Sequence, residues 1–539
     1  MLSWSPKRIT RFSRRGWIVR RSSLVWSESG ASASTFAKSG YIGCSVATFS
    51  FAIALYLALR APEFVTGRNP EIIDAVLAGT AASLCAVALA FEWYERGRMQ
   101  RSDWSTLLLA MCGLPCLVWI FAGHSTLAWI AIGAVAIRNA VMIWKARSLN
   151  TLVALVASAL VGYWAFLLTY VDGYKTPWIH EGVLSGTAHV DMMFHAAIVN
   201  MLTGFASASL GIDGVAPFPY HFASHHLVGL LSHFLGVGAL DFYAVIFPLL
   251  FVPLFLLAMF VFAMAFRNYL ARIGVMDTRD DADQEGFGPF WIALLVAFIG
   301  LISAGYRREL GVWDNVFHSE SFGVAVLVAY LAGVWLLDQL GRNRPLRLKW
   351  YAFPAIAIYL IVLCSLKISV GAVVGCLLAY AVLRLPMTWM QRVLAWLAMS
   401  CALVYGYVAT QVATQSAEAG PGLLHMLKPF AFIRDVLPED RWVASFFAFF
   451  GPALLFVAVR ICLSFCGKHR PALRDAFRAL GDLEMIAVLI VISVTPGLML
   501  SIPQGATNFF AEVSYWWVQP MLAVVLSSTI FTAVRPRKS

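Results

Sequence analysis

The chain has 539 residues, 60% of them hydrophobic and only 13% charged, with a mean hydropathy of +0.75. Soluble domains carry about a quarter charged residues, so a water-soluble globular fold is excluded. The net charge of +11 does not point to nucleic acid, because Lys and Arg collect in short loops between alternate apolar blocks, the pattern of the positive-inside rule.

Residues 1–38 are rich in Arg and Ser with a single acid, Glu28. A transit peptide has that composition; a cytoplasmic tail is the reading that agrees with the charge of every later loop. No cleavable secretory signal is visible, since the first apolar block is a full span without an obvious small-residue cleavage site. Blocks such as 42–59, 152–171, 242–266 and 485–500 approach the roughly 20 apolar residues that a helix needs to cross a bilayer. Backbone groups cannot stay unpaired in lipid, so these blocks must be helices. About fourteen spans are predicted on that length criterion, which makes the fold an all-α polytopic integral membrane protein.

Residues 39–171 hold spans 1–5, and few ionisable groups interrupt the first four. Arg138 lies towards the cytoplasmic end of the fourth and reads as a snorkelling anchor. Residues 172–241 form the longest outer segment, too polar to span and too apolar for a free loop. Within it, 189–203 (HVDMMFHAAIVNMLT) and 225–237 (HHLVGLLSHFLGV) have the apolar spacing of amphipathic helices lying at the interface. The Gly- and Pro-containing stretch 211–220 between them is an expected turn region. Residues 242–534 hold spans 6–14, with outer loops at 305–321, 414–441 and 503–516; residues 535–539 return to the cytoplasm. The run Tyr515, Trp516, Trp517 reads as an aromatic interface belt. There is no N-x-Ser/Thr sequon, which favours a bacterial inner membrane over an endoplasmic reticulum, with both termini cytoplasmic. The nine cysteines lie in or beside spans, so neither disulfides nor a thiolate metal site are expected. No internal repeat supports inverted transporter symmetry.

Every histidine but His469 falls in an outer segment on this topology, and His189, His195, His221, His225, His226 and His233 are among the seven that crowd into 172–241. Asp191 and His195 are four residues apart and share a helix face, as do His221 and His225. Glu181 lies just upstream, and Tyr220 adjoins the second cluster. An acid with several histidines at a membrane surface fits acid/base chemistry, a metal site or proton-coupled transport. The bland alternative is a set of interfacial histidines that tolerate a half-wet setting. Asp191 stands apart, because an acid among Met192, Met193 and Phe194 is costly unless it is used.

The D-x-x-F-H context of Asp191, with the later run PYHFASHH (219–226), resembles the first outer loop of the GT-C superfamily of polyprenyl-phosphate-dependent membrane glycosyltransferases. The likeness covers about 185–235 and the general plan of many spans with outer catalytic loops. The loop here follows the fifth span rather than the first, and its acid is single. The resemblance implies that Asp191 is the base that activates an acceptor hydroxyl, with His195 and His189 as catalytic companions. It also implies a polyprenyl-phosphate-linked sugar donor, a glycan or lipid acceptor, and a divalent cation, Mg or Mn, for which Asp191, His195, His221 and His225 are the candidate ligands.

The outer stretch YRRELGVWDNVFHSES (306–321) holds Arg307, Arg308, Glu309, Asp314, His318 and Glu320. An adjacent Arg pair suits bidentate grip on a phosphate, with headgroup anchoring as the equal alternative. Lys367, a lone cation in an apolar setting, suits a lipid-linked phosphate or ordinary snorkelling. Tyr220, His221, His225 and His226 complete the candidate substrate-binding set. A transporter or flippase for a lipid-linked glycan is the rival function, and a polymerase or ligase using polyprenyl-diphosphate donors is a close variant. A membrane metalloenzyme is a third reading, though no HExxH motif is present.

Overall fold

The computed structural model describes residues 26–60, 70–97, 103–145, 149–170, 175–207, 209, 211, 223–273, 290–295, 315–340, 348–414, 427–429, 442–466, 481–500 and 508–534. Among these residues there is no β-strand, only an isolated bridge between Leu427 and Leu500. The polypeptide is a multi-pass membrane protein of α-helices. Five spans open it: α1 (Trp26–Leu59), α2 (Pro70–Gly97), α3 (Asp103–Phe121), α4 (Ser125–Lys145) and α5 (Leu149–Tyr170). Three short helices follow, α6 (Ile179–Ser185), α7 (Val190–Phe205) and α8 (Ala223–Leu235). The long α9 (Ala239–Arg272) comes next, then the single turn α10 (Asn315–His318), α11 (Glu320–Leu340), α12 (Ala352–Leu366), α13 (Ile368–Arg384), α14 (Trp389–Thr414), α15 (Trp442–Cys466), α16 (Asp482–Met499) and α17 (Asn508–Val534).

Among the described residues, eight helices are long and apolar enough to cross a membrane: α1 to α5, α9, α11 and α17. The helices α12 and α13 are apolar but shorter, at 15 and 17 residues. Burial sorts the helices by position. Every residue of α9 from Phe242 to Phe266 is buried; a helix apolar all round belongs in the centre of a bundle. Its Phe247, Phe251 and Phe255 rings form a ladder that continues into Tyr330 and Trp516. By contrast α4 leaves Trp129, Ile130, Ile137 and Trp144 exposed, the face expected to meet lipid tails.

Three expectations change. Tyr515, Trp516 and Trp517 are not an interface belt: all three are buried, and the Trp516 carbonyl accepts a 2.5 Å hydrogen bond from the Tyr330 hydroxyl. An aromatic run looks the same in sequence whether it faces headgroups or the bundle interior. The last helix also starts at Asn508, inside the loop expected at 503–516. Arg138 is more than a snorkelling anchor: it donates to Glu92 at 2.6 Å and lies 4.8 Å over the Phe91 ring.

Both amphipathic helices form where the spacing places them. In α7, Met192, His195, Ala196, Val199 and Leu202 are buried, which is one helical face. In α8 the buried set is Ser224, His225, Val228, Gly229, Leu231 and Ser232. The two helices pack closely at Gly229, where a Cβ would sit 2.8 Å from Thr203 Cγ2. On the other side of the site Gly323 lets α11 lie against α10, since a Cβ there would meet the Val316 carbonyl at 2.5 Å. That close approach fixes the start of α11, and with it Glu320.

Candidate functional site

The site forms where α7 and α8 cover the first turn of α11. Three groups converge there: His195 from α7, His225 from α8 and Glu320 from α11, all buried. His195 Nδ1 lies 2.9 Å from His225 Nε2. Glu320 Oε1 lies 3.4 Å from the former and 3.3 Å from the latter. The imidazole rings stack with centroids 5.1 Å apart.

A five-residue π-helical turn, Phe242–Ile246, interrupts the start of α9, and such turns are frequent at functional sites. It carries Tyr243, whose hydroxyl donates to Glu320 Oε2 at 2.5 Å and whose ring stacks on His195. The hydrogen bond orients the carboxylate so that Oε1 faces the two imidazoles. Oε1 is itself buried and accepts no hydrogen bond from the described residues.

Two lysines flank this group. Lys175 is fully buried; its Nζ donates to the Phe317 and His318 carbonyls at 3.0 Å and sits over the Tyr243 and Phe247 rings. Burial pulls its pKa down to about 7, against the opposing pull of Glu320. Lys367, between α12 and α13, lies 3.7 Å over the Phe509 ring. Burial lowers it to about 8, with Glu320 and the buried Glu512 of α17 acting the other way. His195 is lowered from its ordinary value, first by burial, while Glu320 and Asp191 oppose the shift. A buried imidazole kept neutral is able to accept a proton or bind a metal.

Of the residues marked from the sequence, the structure brings His195 and His225 together and places Lys367 in their electrostatic neighbourhood. Lys367 is not the lone cation expected; it has an aromatic face and two acids about it. Asp191 sits in the first turn of α7 with 53% of its side chain exposed, so the burial expected among its apolar neighbours is absent. It stands apart from the convergent group and pairs with His189 at 3.8 Å. His189 is the N-cap of α7, and its Nδ1 accepts from the Asp191 backbone N–H at 3.3 Å, a helix-starting role. His226 is exposed on α8. Tyr220, His221, Arg307 and Arg308 lie outside the described residues.

The site residues that stand out only in the structure are Glu320, Tyr243 and Lys175. Glu320 is visible in the sequence as an acid at the head of an apolar run, and Lys175 as a cation just past the fifth span. Nothing in the spacing links either to α7.

No family model matches the chain, and neither the curated proteins nor the solved structures contain a protein that matches it.

Proposed function

We propose that the chain is a membrane glycosyltransferase of the GT-C type, crossing a bacterial inner membrane about fourteen times with both termini cytoplasmic. It would move a sugar from a polyprenyl-phosphate-linked donor to a glycan or lipid acceptor on the outer face. The observation that carries this reading is the union of α7 and α8 over Glu320, beside two buried lysines. Of the two, Lys367 is the one that keeps a cationic head for a lipid phosphate, attracted more strongly where the dielectric begins to fall than it would be in water. Asp191 projects from the open part of α7, one turn from His195, where an acceptor hydroxyl has access to it. Its carboxylate takes the hydroxyl proton as the sugar transfers, and a positioned base of this kind contributes about 10²–10⁴-fold.

The transporter reading keeps one observation in its favour. Glu320 and Glu512 belong to spanning helices, and acids within spans commonly mark a transport path.

A strain lacking the chain, complemented with wild type or Asp191→Asn, separates the two. With the wild type, polyprenyl-phosphate-linked sugars stay low and the glycan is built. Asp191→Asn keeps shape and removes basicity, so the variant inserts normally while transfer falls at least about 100-fold and the lipid-linked donor accumulates. Normal glycan assembly with Asp191→Asn overturns the assignment of the base and favours transport.

A further inference from the structure

We propose that His195, His225 and Glu320 bind a divalent transition-metal ion of the zinc class through His195 Nδ1, His225 Nε2 and Glu320 Oε1. The geometry of these three groups is independent of which substrate the chain uses.

Metal–ligand bonds of about 2.0–2.1 Å at the tetrahedral angle put ligand atoms about 3.3 Å apart. The three separations here are 2.9, 3.3 and 3.4 Å, so a single ion placed between them reaches all three without moving the backbone. The ligand set suits the same class. Two imidazole nitrogens favour zinc, copper, iron or nickel over magnesium or manganese, which prefer oxygen surroundings. Two histidines and a glutamate are also the composition of a catalytic zinc site, with the fourth position left for water or substrate.

A second observation points to the same ion. Glu320 Oε1 is a fully buried carboxylate oxygen that accepts no hydrogen bond from the described residues and is aimed at two nitrogens. A hydrogen-bonded histidine pair alone leaves that oxygen unsatisfied, whereas an ion would satisfy it and both nitrogens at once. The remaining carboxylate oxygen is held by the Tyr243 hydroxyl, the outer-shell bond that metal-ligating carboxylates usually have. With Lys175 and Lys367 nearby, the open fourth position would favour an anionic oxygen, such as that of a phosphate, over a neutral ligand.

The test uses full-length protein purified in detergent without a polyhistidine tag, stripped with a chelator and dialysed against zinc or cobalt. Elemental analysis should return about one zinc per chain, and cobalt loading should give the visible absorption of a four-coordinate nitrogen–oxygen site. His195→Ala, His225→Ala and Glu320→Gln should each lower bound metal at least tenfold, while His233→Ala, exposed on α8, retains it. Size-exclusion profiles report whether each variant is folded. Because wild type is itself measured, failure of a variant to fold does not protect the proposal. If reloaded wild type holds no stoichiometric zinc or cobalt, or if the Glu320→Gln and His225→Ala chains hold as much as wild type, the proposal is wrong.

Discussion

Glu320 is a charge set in the first turn of a spanning helix, and its two oxygens have different work. Oε2 is held by the Tyr243 hydroxyl at 2.5 Å, and Oε1 faces His195 and His225. A hydrogen bond to a charged group contributes about 1.5–3 kcal/mol. Tyr243→Phe should therefore destabilise the protein by about that amount, read as a lower denaturation midpoint in detergent. An unchanged midpoint would mean that the carboxylate is oriented by something other than Tyr243. The histidines of this group were legible from the sequence as polar members of two amphipathic helices, His195 in the first and His225 in the second. Glu320 was not, since helical spacing relates residues within one helix and says nothing about which helix start will meet another. Asp191 shows the opposite failure. Its apolar neighbours promised burial, but Asp191 falls on the flank of α7 while the next residue, Met192, takes the buried face, and the Asp191 side chain is 53% exposed.

Among the helices, the buried pairs act as fixed points. Arg460 of α15 donates to Asp482 of α16 at 2.5 Å, and both side chains are almost wholly buried. Removing one member of such a pair leaves the other uncompensated, at a cost of about 3–5 kcal/mol. Arg460→Met should lower stability on that scale, and Arg460→Met with Asp482→Leu should recover much of the loss. A double variant no more stable than the single one would show that the pair is not the coupling between these helices. The amphipathic character of α7 and α8 was readable because one face of each is apolar at helical spacing. Their partners were not, since α9 is apolar all round and its sequence marks no face. The aromatic run at 515–517 was misread for the same reason.

For the whole molecule, composition settles the class, and charge sets the expected orientation. With α7 and α8 outside, a cysteine at His233 should react with an impermeant thiol reagent in intact cells. One at Pro345 should react only after the membrane is opened, both tested on a background lacking the nine native cysteines. Labelling of both from the same side would reverse the loop assignment and remove the outer-face site. The number of crossings is less legible than the class. Length and hydropathy mark eight helices among the described residues, while α12 and α13 fall below the length of a full span.

The proposed working centre is the buried group under α7 and α8, with Asp191 as the base at its open side. It is tested most directly by Glu320→Gln in protein reconstituted into nanodiscs. The donor is a polyprenyl-phosphate-sugar lipid extract taken from cells lacking the chain, and release of polyprenyl phosphate is followed over time. Glutamine retains the acceptor for the Tyr243 hydroxyl and removes the charge, so the variant should remain folded while release falls at least about 100-fold, the scale of a lost catalytic electrostatic group. Release at the wild-type rate from folded Glu320→Gln would contradict the account.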